Sequence, residues 1–197
     1  MNLIVDIGNT LIKVAQFEQG NCRNIERFKD PSLFLKYVSS MSANNVILSS
    51  VREVSFTNDV LNLFSDSLLL TTKTHLPITN TYKTPETLGN DRIANAVGAF
   101  TAFPNQNTLT IDLGTCIKFD FINANNEYLG GSISPGLKMR FNALHTLTDN
   151  LPLIDDVEIN QLIGTDTTSS IQVGVCQGMI GEITNMIRQY KKKYDKL

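Results

Sequence analysis

The sequence contains few cysteines, little net charge and no long apolar run. Its three cysteines, Cys22, Cys116 and Cys176, are far apart and form no CxxC pair, which argues against a disulfide framework and against a zinc site. The formal net charge of −2 is too small to favour nucleic-acid binding. No segment has the length and apolar character of a signal peptide or a membrane span. We therefore expect a soluble, cytoplasmic protein that binds neither nucleic acid nor membrane.

The overall composition is that of an ordinary globular protein. Hydrophobic residues make up 42% of the chain and charged residues 18%. These fractions exclude disordered and fibrous classes, and 197 residues are enough to bury a full core. The length allows either one large domain or two small lobes.

One short pattern occurs twice, about a hundred residues apart. Leu3–Thr10 reads LIVDIGNT, and Leu109–Thr115 reads LTIDLGT. In each copy an apolar run is followed by Asp, an aliphatic residue and Gly, and a second strand-like run then begins, at 11–17 and at 116–122. This pattern predicts two β-hairpins with polar tips, where glycine allows a tight bend, backbone N–H groups bind phosphate and the Asp faces a metal. Paired tips of this kind suit a two-lobed cleft that binds a nucleotide.

The remaining periodicity alternates between strands and helices. Asp30 and Pro31 predict the start of a helix, and the alanine-rich stretch after Asp91 predicts another, with Asp91 near its N-terminus. We expect a first lobe over 1–105 and a second over 106–197. The other predicted elements are strands at 24–28, 46–51 and 68–71, helices at 57–64 and 137–148, a loop at 72–87, and a final helix from about Ile171. Three glycines within 130–136 indicate close approach by a ligand or by the neighbouring lobe.

Five motifs in one order give the chain a family resemblance. They are Asp6-Ile7-Gly8-Asn9-Thr10, Leu88-Gly89-Asn90-Asp91-Arg92, Ile111-Asp112-Leu113-Gly114-Thr115, Gly130-Gly131-Ser132-Ile133-Ser134-Pro135-Gly136 and Gly164-Thr165-Asp166-Thr167. With these motifs the sequence resembles the type III pantothenate kinases. The resemblance implies an α/β fold of two related βββαβα lobes, of the actin-like ATPase or ribonuclease H-like kind, with the active site in the cleft between the lobes. It also implies a homodimer that phosphorylates pantothenate to 4′-phosphopantothenate with ATP, the first step of coenzyme A biosynthesis.

The same resemblance implies a role for each motif residue. ATP would contact Thr115 and the residues of the first tip, Asp6, Ile7, Gly8, Asn9, Thr10, Leu11, Ile12 and Lys13. Asp6 would face the Mg²⁺ bound to ATP, and Asp112 would bind a monovalent cation, K⁺ or NH₄⁺. Asp91 would be the proton acceptor. Pantothenate would contact Tyr82, Gly89, Asn90, Asp91, Arg92 and Thr167, the last of these across the dimer.

The chemistry agrees with these implied roles. Phosphoryl transfer depends mainly on positioning the acceptor hydroxyl and neutralising charge, so backbone N–H groups, a metal and a base are the groups to expect. Arg92 beside Asp91 suits an acceptor that carries a carboxylate, because a guanidinium can bind a carboxylate through two hydrogen bonds while Asp91 accepts the hydroxyl proton.

The chain also departs from the family pattern. Cys116 and Lys118 stand where family members have small or hydroxyl residues, and we expect Lys118 to point away from the tip. The family's last segment, with its glycine pair near the adenosine, is missing from 106–197, where the only adjacent glycine pair is Gly130-Gly131. Two alternative functions therefore stay open: a catalytically impaired or regulatory relative, and another small-molecule kinase of the same fold.

Structural roles are open for several of these residues. Asp6 and Asp112 are also typical of turns, where their side chains bond their own backbone. Asp91 suits a plain helix cap, Arg92 suits a surface salt bridge, and Thr167 suits the N-cap of the last helix.

Overall fold

A computed structural model describes residues 1–157 and 161–197. The chain divides into two compact units. The N-terminal unit comprises Met1–His75 and Leu88–Asp91, and the C-terminal unit comprises Leu76–Thr87 and Arg92–Leu197. The predicted lobe boundary at 105 stays a prediction. Within the described residues no helix has the length and hydropathy needed to cross a membrane.

The N-terminal unit is a five-stranded sheet with two helices. Its strands are β1 (Asn2–Ile7), β2 (Ile12–Glu18), β3 (Asn21–Phe28), β4 (Asn45–Ser50) and β5 (Ser67–Leu69), and its helices are α1 (Pro31–Ser39) and α2 (Val54–Leu61). The sheet order is β3-β2-β1-β4-β5. Strands β1 to β3 form an antiparallel meander, whereas β4 lies parallel to β1 and to β5. The predicted order of three strands followed by alternating helices and strands is confirmed for this unit.

Buried and accessible residues alternate along the strands, and the buried ones form the core of this unit. Leu3, Val5 and Ile7 of β1 are at most 1% exposed, and their neighbours on the other face of the strand are accessible. The buried residues of β2 and β4 and of the helices join them in one cluster: Ile12, Val14, Phe34, Val38, Val46, Leu48 and Val60. Each such apolar side chain contributes about 1.5–3 kcal/mol to the stability of the fold by leaving water.

The starts of the two helices show what local sequence can and cannot predict. Asp30 caps α1 by accepting a hydrogen bond from the Ser32 backbone N–H at 2.7 Å, and Pro31 is the first helical residue, as predicted. Helix α2 begins at Val54, three residues before the predicted start at Thr57. The reason is tertiary: the Thr57 hydroxyl is buried against the hydroxyl of Ser50 at 2.8 Å, which holds the preceding turn in place.

The C-terminal unit is built around a second antiparallel meander. It contains β6 (Thr79–Asn80), β7 (Thr108–Leu113), β8 (Cys116–Ile122), β9 (Glu127–Pro135), α4 (Leu137–Thr146) and α5 (Thr167–Lys193), with sheet order β6-β9-β8-β7. Helix α3 (Asn90–Ala102) has its first two residues in the N-terminal unit and the rest in this one. The mixed α/β fold class is confirmed.

The segment 72–87 was expected to be loop throughout, and this expectation is wrong in two places. Thr79–Asn80 forms the short strand β6, parallel to β9, and Pro85–Thr87 forms one turn of 3₁₀ helix. The strand exists because the backbone N–H of Thr81 donates to the Tyr128 carbonyl oxygen at 3.1 Å. A two-residue strand held by a partner 47 positions away leaves no periodicity in the sequence.

The glycines of 130–136 are explained by neighbouring backbone. A Cβ atom at Gly131 would collide with the backbone of Phe119 in β8, and one at Gly136 would collide with the backbone of Gly114 and Thr115. Both contacts lie inside the C-terminal unit. The close approach expected at these two residues is therefore made by backbone of the same unit, and approach by a ligand stays a prediction.

Helix α5 begins with a capping box. Asp166 is the N-cap and accepts a hydrogen bond from the Ser169 backbone N–H at 2.9 Å, while the Ser169 hydroxyl accepts one from the Asp166 N–H. The Ser169 hydrogen bonds lower the pKa of Asp166. Thr167 is the first helical residue, so the interpretation of Thr167 as the N-cap is wrong.

Candidate active site

The first hairpin tip joins β1 to β2. The Gly8 backbone N–H donates to the Leu11 carbonyl oxygen at 3.1 Å, and a Cβ atom at Gly8 would lie only 2.9 Å from that same oxygen. Glycine is therefore required for a turn this tight. Asp6 and Lys13 face each other across the two strands, with Lys13 Nζ 3.5 Å from Asp6 Oδ2.

The predicted ATP-contacting residues of this tip fall into three groups by their exposure. Asn9 and Thr10 are exposed, and the side chains of Asp6 and Lys13 are 43% and 51% exposed. Gly8 and Leu11 are partly buried. Ile7 and Ile12 are completely buried in the core, so only their backbone atoms are available to a ligand.

Arg52 supports this tip and was missed by the sequence analysis. Its Nε donates to the Gly8 carbonyl oxygen at 2.9 Å, and its Nη2 donates to that of Asn9 at 3.1 Å. Its guanidinium carbon lies 5.7 Å from the centre of the Phe56 ring. Arg52 reaches the tip because β4 lies parallel to β1 and ends beside it, with Ile7 opposite Ser50. Nothing in the local sequence indicates this contact.

The second hairpin tip joins β7 to β8 in the C-terminal unit. The Gly114 N–H donates to the Cys116 carbonyl oxygen at 3.1 Å, and Thr115 is exposed at the tip. Asp112 lies opposite Lys118, and Lys118 Nζ is 2.7 Å from Asp112 Oδ2. The expectation that Lys118 points away from the tip is wrong. A cross-strand carboxylate and ammonium therefore occur at both tips.

Helix α3 carries the predicted acid–base residue in its first turn. The Asn90 side-chain amide donates to the Leu70 carbonyl oxygen at 2.9 Å, which fixes the beginning of the helix. Gly89 directly precedes the helix, and Asp91 is its second residue and is exposed. The carboxylate of Asp91 is therefore accessible to a substrate hydroxyl.

Arg92, the next residue, is buried in an ion pair. Its Nε and Nη2 lie 2.8 and 2.7 Å from Oδ1 of Asp120, and the Tyr128 hydroxyl donates to the same oxygen at 2.6 Å. Arg92 is 4% exposed, and Asp120 and Tyr128 are each 1% exposed. The interpretation of Arg92 as a surface salt-bridge residue is therefore wrong. Within the described residues, Asp120 Oδ2 is buried without a hydrogen-bond partner.

Charge and burial explain the ionisation of this cluster. Burial opposes the charged form of Arg92, but the hydrogen bond and the charge of Asp120 outweigh it, and the pKa of Arg92 is raised. Burial and the hydrogen bond to Asp120 also raise the pKa of Tyr128. Arg92 is therefore cationic and Tyr128 neutral under ordinary conditions.

Tyr82 completes this cluster. The Arg92 guanidinium lies 5.5 Å from the centre of the Tyr82 ring, within cation–π distance. The ring packs on Gly130, which has φ +102° and no side chain to interfere. The structure thus brings together two residues predicted to contact pantothenate. Asp120 and Tyr128, which hold Arg92, were missed, although an Asp inside the otherwise apolar end of β8 is a signal in the sequence.

Thr167 lies on a different surface of the C-terminal unit. It lines an apolar groove of about 1050 Å³ between α4 and α5, together with Met139, Leu147, Leu151 and Ile171. No other residue predicted to contact pantothenate lines this groove. Among the described residues there is also no cluster of three or more His, Cys, Asp or Glu side chains that could hold a metal ion.

The two sheets and their helices define the fold class of the chain as mixed α/β, with an Asp-x-Gly hairpin tip in each unit. A solved Campylobacter jejuni structure assigned to the Baf family shares this fold, with a TM-score of 0.56 and 19% identity. That match covers 93% of this chain and 78% of the other, and it shows the fold alone.

Sequence comparison then gives the family. Residues 2–189 match the family model of type III pantothenate kinase. A type III pantothenate kinase of Cytophaga hutchinsonii is 41% identical over 98% of this chain and 82% of its own length. One from Bacteroides fragilis is 40% identical over 100% of this chain and 83% of its own length. The chain belongs to the type III pantothenate kinase family, and the resemblance inferred from the five motifs is confirmed.

Proposed function

We propose that this enzyme transfers the γ-phosphoryl group of ATP to the primary hydroxyl of pantothenate, giving 4′-phosphopantothenate for coenzyme A biosynthesis. The match to the family over residues 2–189 carries this proposal. The pairing of an accessible Asp91 with a cationic Arg92 supports it, because the acceptor combines a hydroxyl with a carboxylate.

Two acidic residues have separate tasks in this proposal. Asp91 accepts the proton of the pantothenate hydroxyl as that oxygen attacks phosphorus. Asp6 faces the Mg²⁺ that accompanies ATP. A single carboxylate fits that ion, because Mg²⁺ in kinases is commonly held by one or two carboxylates together with the phosphates of the substrate. The metal neutralises charge on the phosphates, and Lys13, 3.5 Å from Asp6, adds a further positive charge.

Pantothenate binding is assigned to the cluster at the start of α3. Arg92 supplies the positive charge for the carboxylate of pantothenate, Tyr82 lies beside its chain, and Gly89 and Asn90 contribute backbone and amide groups. The buried Asp120 supports this assignment, since it holds the Arg92 guanidinium in one orientation before substrate arrives. Thr115 contacts ATP from the second hairpin tip.

Three further points belong to the proposal. A homodimer is supported by the apolar groove between α4 and α5, where Leu147 is 82% exposed, and Thr167 would contribute to pantothenate binding from this groove. A cytoplasmic location is supported by three free cysteines. The monovalent cation implied for Asp112 stays a prediction, and Lys118 is a second candidate for the same carboxylate.

An assay of ADP release with ATP, Mg²⁺ and pantothenate tests the function. We expect ADP to form only when pantothenate is present, and one phosphate to appear on pantothenate per ADP. ATP binding without turnover would instead identify a non-catalytic relative. Turnover with a different alcohol but not with pantothenate would identify another small-molecule kinase of this fold.

Arg52→Met is expected to raise the KM for ATP by at least about fivefold, because two hydrogen bonds to the first tip are lost and each contributes about 0.5–1.5 kcal/mol. The KM for pantothenate should stay unchanged. Steady-state kinetics with each substrate varied in turn will measure this. Arg23→Met is the matched control, since Arg23 is exposed on β3 and its ion-pair partner is Glu18, at the end of β2 away from the tip. An unchanged KM for ATP would show that Arg52 does not order the tip.

A further inference from the structure

The two hairpin tips differ in how closely their charged residues pair. At the first tip, Lys13 Nζ and Asp6 Oδ2 are 3.5 Å apart and the side chains are 51% and 43% exposed. At the second tip, Lys118 Nζ and Asp112 Oδ2 are 2.7 Å apart, and Lys118 is only 16% exposed. The second pair is thus a close ion pair whose lysine side chain is mostly buried, so its charges interact more strongly than those of an exposed pair.

This pair does not fit the monovalent cation that the family resemblance implies for Asp112. A cation bound to the same carboxylate would lie close to the Lys118 ammonium. Two unit positive charges about 4 Å apart repel each other strongly where protein replaces much of the surrounding water. Asp120 lies two residues from Lys118 on the same face of β8, and its Oδ1 is bonded to Arg92 and Tyr128, while its Oδ2 has no hydrogen-bond partner among the described residues. Each carboxylate on this face therefore has its own protein cation.

We propose that the ammonium of Lys118 is the resident cation of Asp112, and that this kinase therefore needs no K⁺ or NH₄⁺. An ammonium carries the same charge as those ions. Because it is attached to the neighbouring strand, its local concentration does not depend on the salt in solution. The register of β7 and β8 places it at the correct position on folding. This inference rests on the proposed function and concerns which cation pairs with Asp112 at the second hairpin tip of the enzyme.

The first test uses the unmodified enzyme. Pantothenate-dependent ADP release is measured with tetramethylammonium chloride as the only added monovalent salt, and again with KCl or NH₄Cl at the same ionic strength. We expect the rates to agree within about twofold, since the cation position is already filled. A rate that depends strongly on K⁺ or NH₄⁺ would overturn the proposal without a variant being made.

The second test removes the ammonium. Lys118→Thr is expected to lower the rate by at least about tenfold in tetramethylammonium chloride, because a charge beside the phosphates is lost. Added K⁺ or NH₄⁺ should restore most of that rate. Lys118→Gln, which keeps the length of the side chain, should behave in the same way if Lys118→Thr folds poorly. Lys192→Met, an exposed change on α5, is the control and should respond to neither ion.

A third readout does not require turnover. The melting temperature of Lys118→Thr should rise with KCl relative to tetramethylammonium chloride, whereas that of the unmodified enzyme should not. Equal responses in the two proteins would overturn the proposal. If the unmodified enzyme shows no pantothenate-dependent turnover under any salt, the proposed function fails, while the melting comparison still decides the role of Lys118.

Discussion

Asp91→Asn is expected to lower kcat by about 10²–10⁴-fold, the usual contribution of a general base. An amide occupies nearly the same volume as the carboxylate but cannot accept the proton of the attacking hydroxyl. Asp91 is exposed in the first turn of α3, so the substitution should leave the fold intact. Because only the transition state uses the proton acceptor, kcat and kcat/KM should fall together.

Steady-state kinetics with pantothenate varied, together with ATP binding by calorimetry, will check this expectation. Glu86→Gln is the control, since it also neutralises an exposed carboxylate in the segment before α3. That variant should retain its kcat. If Asp91→Asn retained kcat as well, proton transfer would have to be assigned to another group.

Asp120→Ala is expected to reduce the free energy of unfolding by about 3–5 kcal/mol, because it leaves the Arg92 guanidinium buried without its carboxylate. Urea unfolding followed by circular dichroism will measure the change. Asp149→Ala, at an exposed position, is the control and should change stability by less than about 0.5 kcal/mol.

A double variant separates stability from substrate binding. Arg92→Met with Asp120→Leu replaces the buried ion pair by apolar side chains and should recover part of the lost stability, because the buried Tyr128 hydroxyl still lacks its acceptor. It should still fail to bind pantothenate, because the cation for the substrate carboxylate is gone. Recovery of both stability and pantothenate binding would show that Arg92 serves only the fold.

The sequence predicted those features whose physical causes are local. The Asp-x-Gly tips, the meander of β1 to β3 and the start of α1 at Pro31 all depend on residues a few positions apart. The family motifs predicted site roles for Asp91 and Arg92, and the structure places Arg92 beside Tyr82.

The features that the sequence could not predict depend on register and on distant pairing. Arg92 meets Asp120 across 28 positions, and Arg52 meets the Gly8 carbonyl across 44. Lys118 lies beside Asp112 only because β7 and β8 pair in one particular register. A shift of one residue would send Lys118 to the opposite face of the sheet. Local patterns do not determine such contacts.

The close packing of Gly136 against the second tip has a mechanical consequence. Gly136 is the N-cap of α4, and its N–H donates to the Thr115 carbonyl oxygen at 3.0 Å. Helix α4 and the second tip are therefore joined by this hydrogen bond at a point where the two backbones leave no room for a Cβ atom. A side chain at position 136 would therefore push the start of α4 and the backbone of the second tip apart.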